Sequence, residues 1–87
     1  MSIIGIDISK NTLAIHADGL DYSINNDEKA LKKWVNEHKL LLKNPSLFVY
    51  EPTGGYERKL ATFLKRANLD SYRAHANHVR YFAKAMG

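Results

Sequence analysis

In the first part of the chain, apolar residues recur at every second position, which is typical of β-strands. Residues 2–10 read S-I-I-G-I-D-I-S-K and are apolar on both strand faces, as in the central strand of a covered sheet. Residues 12–17 and 20–24 alternate more regularly. Between them lies Asp18-Gly19, a dipeptide favoured in two-residue hairpin turns. The pattern therefore predicts three antiparallel strands.

The next segments alternate between helical spacing and short apolar runs. A first helix is predicted over residues 27–43, with Asp27 and Glu28 placed favourably for the helix dipole. Residues 47–50 form a short continuous apolar run, which is typical of a buried parallel strand. A second helix is predicted from Tyr56 to Asn68, where a left-handed conformation can end it.

The end of the chain is predicted to add one more strand and one more helix. Residues 69–74 are assigned a short strand, and residues 77–86 have apolar positions at helical spacing. The resulting order is β-β-β-α-β-α-β-α. Right-handed crossovers then predict a mixed five-stranded sheet in the order 3-2-1-4-5, with the first strand central and helices on its faces. This is the element order of the ribonuclease H-like α/β fold.

Composition limits the classes of protein that fit. The chain of 87 residues is 45% hydrophobic and 25% charged, which indicates one globular domain. No apolar run is long enough to span a membrane, and no signal pattern is present at the N-terminus. The lack of cysteine excludes disulfides and thiolate metal sites within these residues. We expect a soluble, cytoplasmic protein without a membrane partner.

Charge is distributed unevenly along the chain. Residues 1–51 carry a net charge of −1, whereas residues 52–87 carry +5. A basic surface suits contact with nucleic-acid phosphates, although basic residues on solvated helix faces are an alternative explanation. The candidate contacts to nucleic acid are Lys10, Arg58, Arg66, Arg73, Arg80 and Lys84.

Two acidic residues end predicted strands that should be neighbours. Asp7 lies near the end of the first strand, and Glu51 follows the fourth. Their carboxylates would converge to form an oxygen site suited to Mg²⁺ or Mn²⁺, and such ions can assist phosphodiester cleavage. The alternative is that Asp7 bonds a loop amide and that Glu51 caps the following helix.

Other polar residues give weaker signals. Thr53, Gly54 and Gly55 open the second helix, where backbone amides could hold a phosphate, although Gly-Gly is more often only a tight turn. His75 and His78 lack the further His or Cys ligands that a zinc site requires. His16 and His38 are interpreted as structural.

Three separated motifs carry a resemblance to a known family. They are G-I-D-I-S-K at 5–10, Y-E-P-T-G-G-Y-E at 50–57 and V-R-Y-F-A-K-A-M-G at 79–87. Together they resemble the N-terminal domain of the DEDD transposases, the recombinases of bridge-RNA-guided insertion sequences, which are related to the Piv DNA invertase. The resemblance implies a RuvC-like nuclease domain in which four acids bind metal, with Asp7 as the first and Glu51 as the second.

The same resemblance implies partners and missing parts. It implies DNA and a guide RNA as partners and a homo-oligomer in the full-length protein. The third and fourth acids would lie beyond Gly87, as would a downstream domain that supplies a serine. Residues 76–78 read Ala-Asn-His where the family often has Asn-Pro.

The resulting hypothesis is that residues 1–87 are the N-terminal part of a catalytic domain of a transposase or site-specific DNA recombinase. We expect this part to cleave no DNA by itself, because half of the acidic site is missing. Two alternatives remain. One is an actin-like or sugar-kinase-like ATPase, although its loop normally needs a Gly-Thr that Ile8-Ser9-Lys10 does not supply. The other is a non-catalytic module that binds nucleic acid or protein.

Overall fold

The computed structural model describes residues 2–43 and 45–74. Its elements are β1 (Ser2–Ile8), β2 (Thr12–Ala17), β3 (Leu20–Asn25), α1 (Glu28–Glu37), α2 (Lys39–Leu42), β4 (Ser46–Tyr50), α3 (Arg58–Arg66) and β5 (Ser71–Arg73). The helix predicted over residues 77–86 lies outside the described residues, as does the motif at 79–87. Within the described part, no helix has the length and apolar character needed to cross a membrane.

The five strands form one mixed sheet in the order β3-β2-β1-β4-β5, which confirms the predicted order. The central strand β1 pairs antiparallel with β2 on one side and parallel with β4 on the other. Strand β5 pairs parallel with β4 at the far edge. The described chain is therefore an α/β fold in which the direction of strand pairing changes at β1.

The hairpin between β2 and β3 forms at the predicted dipeptide. Asp18 and Gly19 both have positive φ angles, 52° and 76°, as a two-residue turn of this kind requires. The turn fixes the register of the two strands, in which Ala17 lies opposite Leu20 and His16 lies opposite Asp21.

Alternate residues of the strands separate the sheet into two faces. We call "core face" the side that carries Ile4, Ile6, Leu13, Ile15, Phe48 and Tyr50, all of them buried. Helices α1 and α3 cover it with Leu31, Trp34, Leu60, Phe63 and Leu64. We call "second face" the opposite side, which carries Ile3, Gly5, Asp7, Ala14, His16, Asp21, Leu47 and Val49.

Helices were predicted on the sheet's faces, and one of them, over residues 77–86, lies outside the described residues. Within residues 2–43 and 45–74, the apolar side chains of α1, α2 and α3 pack on the core face alone. The apolar cluster on the second face consists of Val49 and Ala74, with Ile3 and Leu47 packed against them. These residues come from the strands and from the position that follows β5.

The predicted single helix over residues 27–43 is divided at His38 into two helices, α1, which ends at Glu37, and α2 (Lys39–Leu42). Its start is as expected, since the side chain of Asp27 accepts a hydrogen bond from the amide of Ala30 at 2.7 Å. At its end, Nδ1 of His38 lies 2.7 Å from the Trp34 carbonyl oxygen, and the His38 amide donates to Val35 instead. The His38 ring also stacks on the Trp34 ring at 4.1 Å. A side chain thus takes the acceptor that a continuing helix would use.

Helix α3 begins later than predicted and ends as predicted. Tyr56 precedes the helix and is 48% exposed, so it does not belong to the buried helix face. At the other end, Asn68 has a φ angle of 57°. The amide of Leu69 donates to the Leu64 carbonyl and that of Asn68 to the Lys65 carbonyl, which is the Schellman pattern of a left-handed helix end.

Candidate metal site at the carboxyl edge of the central strands

The register of β1 and β4 brings Asp7 and Glu51 to neighbouring positions. The last pair in this parallel ladder is Ile6 opposite Tyr50, and the two acids are the residues that directly follow. Neighbouring strands lie about 4.8 Å apart. The predicted adjacency of the first and fourth strands is therefore confirmed, and the two acids share the carboxyl edge of the sheet.

A histidine of the neighbouring strand contacts the first of these acids. Nε2 of His16 lies 3.1 Å from Oδ2 of Asp7, and Nδ1 of the same ring lies 2.7 Å from Oδ1 of Asp21. The three side chains form a row across β1, β2 and β3 on the second face. The side chains of His16 and Asp7 are 22% and 31% exposed, whereas that of Asp21 is 81% exposed.

The two carboxylates change the protonation of the histidine. Burial lowers the pKa of His16, but hydrogen bonds to Asp21 and Asp7 and the negative charges of both acids outweigh it, so the pKa is raised. The doubly protonated ring donates a hydrogen bond from each nitrogen, which satisfies both acids at once. A neutral ring could donate to only one of them.

The chemistry of Asp7 and Glu51 fits a hard divalent cation in part. Carboxylate oxygens are the ligands that Mg²⁺ and Mn²⁺ prefer, and Mg²⁺ usually takes only one or two of them. Within residues 2–43 and 45–74, no group of three His, Cys, Asp or Glu side chains is arranged to hold a metal ion. The donors described at this edge are therefore two acids, with the remaining ligands to come from water or from a substrate.

The loop between β4 and α3 is held by a carboxylate of its own. Oε1 of Glu57 accepts hydrogen bonds from the amides of Thr53 and Gly55, both at 3.0 Å. Gly54 and Gly55 have positive φ angles of 69° and 108°, which glycine adopts without strain. In this conformation two of the amides expected to receive a phosphate are already bonded to Glu57.

Charge and hydrogen bonds stabilise the ionised form of Glu57. The backbone amide of Thr53 contributes most to lowering the pKa of this carboxyl, together with the amides of Glu57 and Gly55. Arg73 adds a favourable charge, since its Nη2 lies 3.7 Å from Oε2 of Glu57. The loop is therefore held by a carboxylate that stays ionised to a lower pH than an ordinary glutamate.

Asn26 connects the two loops that flank the acids. It is 6% exposed, and its side-chain amide donates to the carbonyl oxygens of Ser9 at 2.9 Å and Tyr56 at 3.0 Å. Ser9 begins the turn after β1, and Tyr56 lies in the loop after β4. One buried side chain thus links the segments that follow Asp7 and Glu51.

The predicted nucleic-acid contacts lie in several places. Lys10 is exposed in the turn after β1, and Arg73 is at the end of β5 beside Glu57. Arg58 and Arg66 line a surface pocket of about 340 Å³ between α1 and α3, where Arg66 lies 3.3 Å from Glu28. The predicted contacts Arg80 and Lys84 lie outside the described residues. Arg66 and Arg73 are each engaged by an acid.

Sequence reasoning missed the roles of His16, Asp21, Asn26 and Glu57. A signal for the first two was present, because a two-residue turn at Asp18-Gly19 necessarily places position 16 opposite position 21. The pairing of a histidine with an acid therefore follows from the hairpin. The contacts of Asn26 join residues 17 and 30 positions apart, and no local pattern indicates them.

No family model and no curated protein matches the chain.

Proposed function

We propose that the chain is the N-terminal part of a ribonuclease H-like, RuvC-like catalytic domain of a DEDD transposase or site-specific DNA recombinase. In this proposal Asp7 and Glu51 are metal ligands for Mg²⁺ or Mn²⁺, and DNA and a guide RNA are the partners. The full-length protein would cleave and exchange DNA strands in a metal-dependent reaction.

The observation that carries the proposal is the parallel register of β1 and β4. It puts Asp7 and Glu51 one position beyond the Ile6–Tyr50 pair, on neighbouring strands at the same edge. Two carboxylates at adjacent strand ends, with solvent access at Asp7, suit a cation that keeps part of its shell of water. The motifs at 5–10 and 50–57 that carry the family resemblance contain these same two acids.

The side chains at this edge have distinct parts in the proposed chemistry. A divalent ion held there would supply an activated oxygen for attack on a phosphodiester and would offset the charge on the leaving oxygen. Asp7 and Glu51 would hold the cation through their carboxylate oxygens and bring negative charge to it. Lys10, in the adjacent turn, offers a cation to the nucleic-acid backbone near the site.

Metal binding is the direct test of the two acids. We expect the 87-residue chain to bind Mn²⁺ weakly in calorimetry and to lose that binding in the double variant Asp7→Asn, Glu51→Gln. Asp18→Asn, which removes a carboxylate in the β2–β3 turn, is the matched control and should bind as the wild type does. Equal Mn²⁺ affinity in the wild type and the double variant would refute the site. Binding of ATP to the chain in a competition experiment would favour a nucleotide-binding function.

Nucleic-acid binding tests the basic residues. We expect weak binding to duplex DNA without sequence preference, decreasing by orders of magnitude between low and physiological salt if several phosphates are contacted. Replacing Arg58, Arg66 and Arg80 together by Ala should weaken it further, whereas Lys29→Ala and Lys39→Ala should change it little. Affinity that is insensitive to salt would argue against phosphate contacts.

A further inference from the structure

The imidazole of His16 is held from both sides on the second face of the sheet. Asp21 contacts Nδ1 at 2.7 Å, and Nε2 contacts Asp7 at 3.1 Å. With a partner at each nitrogen, the ring has one orientation that satisfies both contacts. The row of Asp21, His16 and Asp7 crosses β3, β2 and β1 in that order. The next strand is β4, which Glu51 follows.

The small residues around this ring explain how it reaches Asp7. His16 lies directly opposite Gly5 on β1, whereas Asp7 lies opposite Ala14. The contact between His16 and Asp7 is therefore a diagonal one, which long side chains can bridge. Because Gly5 has no side chain, the imidazole can extend along β1 to the acid, and the methyl group of Ala14 offers Asp7 no competing hydrogen bond.

We propose that His16 is a positioning residue for Asp7, and that Asp21 holds the ring of His16 in turn. His16 fixes the carboxylate of Asp7 in the orientation in which this acid binds a divalent ion. The inference rests on the proposed function, since it requires Asp7 to be a metal ligand. Partners that orient a ligand from outside the coordination shell typically change metal affinity by about 10- to 100-fold when they are removed.

Two neutral substitutions at position 16 separate orientation from charge. The side-chain nitrogen of Gln can take the place of Nε2 and donate to Asp7, whereas that of Asn takes the place of Nδ1 and reaches only Asp21. Both variants remove the imidazolium, so any charge effect on the cation is the same in the two. We expect His16→Gln to bind Mn²⁺ about tenfold more tightly than His16→Asn in calorimetry on the 87-residue chain.

A second pair of variants tests the outer acid. Asp21→Asn keeps an oxygen that can accept from Nδ1 of His16, and Asp21→Ala removes it, while both remove the same charge. The side chain of Asp21 is 81% exposed, so neither change should unfold the chain. We expect Asp21→Ala to bind Mn²⁺ several-fold more weakly than Asp21→Asn, with the same thermal midpoint by circular dichroism.

The outcomes distinguish the inference from the proposed function. If the wild type binds Mn²⁺ in an Asp7-dependent way while the Gln and Asn variants bind equally, His16 has a structural role only and the inference is wrong. If both variants fold but the Asn variant binds more tightly, the inference is also wrong. If Asp7→Asn does not change Mn²⁺ binding by the wild type, both the metal site and the positioning role are refuted.

Discussion

The two faces of the sheet are made from alternate residues of the same strands, yet they have different parts in the molecule. On the core face, Ile6 and Ile15 are fully buried under helices. One residue further along each strand, Asp7 and His16 point to the second face and remain partly exposed. Because side chains alternate with a period of two, one strand carries apolar residues on one face and polar residues on the other. Stability and metal binding should therefore respond to different substitutions.

The largest effect is expected from a cavity on the core face. Ile6→Ala should lower the free energy of unfolding by about 2–5 kcal/mol, because it removes a fully buried side chain and leaves a void. Urea denaturation measures this loss. Ile3→Ala, on the second face of the same strand, should cost less because Ile3 is only partly buried. Equal losses for the two variants would contradict the division between the faces.

The buried Asn26 lies outside the strands and belongs to neither face; because it joins the loops at the end of both central strands, its loss should affect stability and metal binding together. Asn26→Ala removes hydrogen bonds to the Ser9 and Tyr56 carbonyl oxygens, and we expect a loss of about 1–3 kcal/mol in urea denaturation. Because these loops flank Asp7 and Glu51, Mn²⁺ affinity should decrease as well. The neighbouring Asn25→Ala, at an exposed position of β3, is the control and should stay within about 0.5 kcal/mol.

On the second face, the contribution of His16 to stability should depend on pH. The pKa of His16 is raised above its ordinary value of 6.5, so its contacts with Asp7 and Asp21 contribute stability that is complete below pH 6.5. That contribution is lost as the pH rises through the raised pKa of the folded state. We expect less than about 1 kcal/mol, because the group is partly solvated. Denaturation at several pH values should show this loss in the wild type, and its persistence in His16→Gln would assign it to another group.

The smallest expected effect is local to the loop between β4 and α3. Glu57→Ala should speed hydrogen exchange at the amides of Thr53 and Gly55, which donate to the Glu57 carboxylate. The pKa of Glu57 is lowered from 4.5 in the folded state. The wild-type protection should therefore persist above pH 4.5 and be lost as the pH falls through the pKa of the folded state. The amide of Phe48 within β4 is the internal control. Unchanged exchange at Thr53 and Gly55 would mean that the loop does not depend on Glu57.

Much of the fold could be predicted because its signals are local. Alternation in β1 to β3, the turn at Asp18-Gly19 and the short run of β4 are each visible within a few residues, and the strand order then follows from short hairpins and right-handed crossovers. The break at His38 could not be predicted from periodicity. It depends on a side-chain bond to the Trp34 carbonyl and on ring stacking, and neither changes the apolar spacing of the segment.

The candidate site could be predicted as far as its two acids and the pairing of His16 with Asp21. Asp7 and Glu51 were placed by adjacency of strands, which topology supplies. The contact of His16 with Asp7, by contrast, is a diagonal one between β1 and β2, and no local pattern indicates it. The carboxylate of Glu57 takes two loop amides that the glycine-rich sequence had suggested for a phosphate. Whether these amides bond to the carboxylate of Glu57 or to an external phosphate depends on packing, which the sequence motif does not indicate.

The link made by Asn26 also has a consequence for the order of folding. Its side chain bonds residues 17 and 30 positions away, so both loops must be closed before the two bonds can form. Contacts of such long range are expected late, after β1 to β3 have paired locally. Loss of this side chain should then leave the refolding rate nearly unchanged and accelerate unfolding. Asn26 would therefore contribute to kinetic stability, because it slows unfolding without changing the rate of folding.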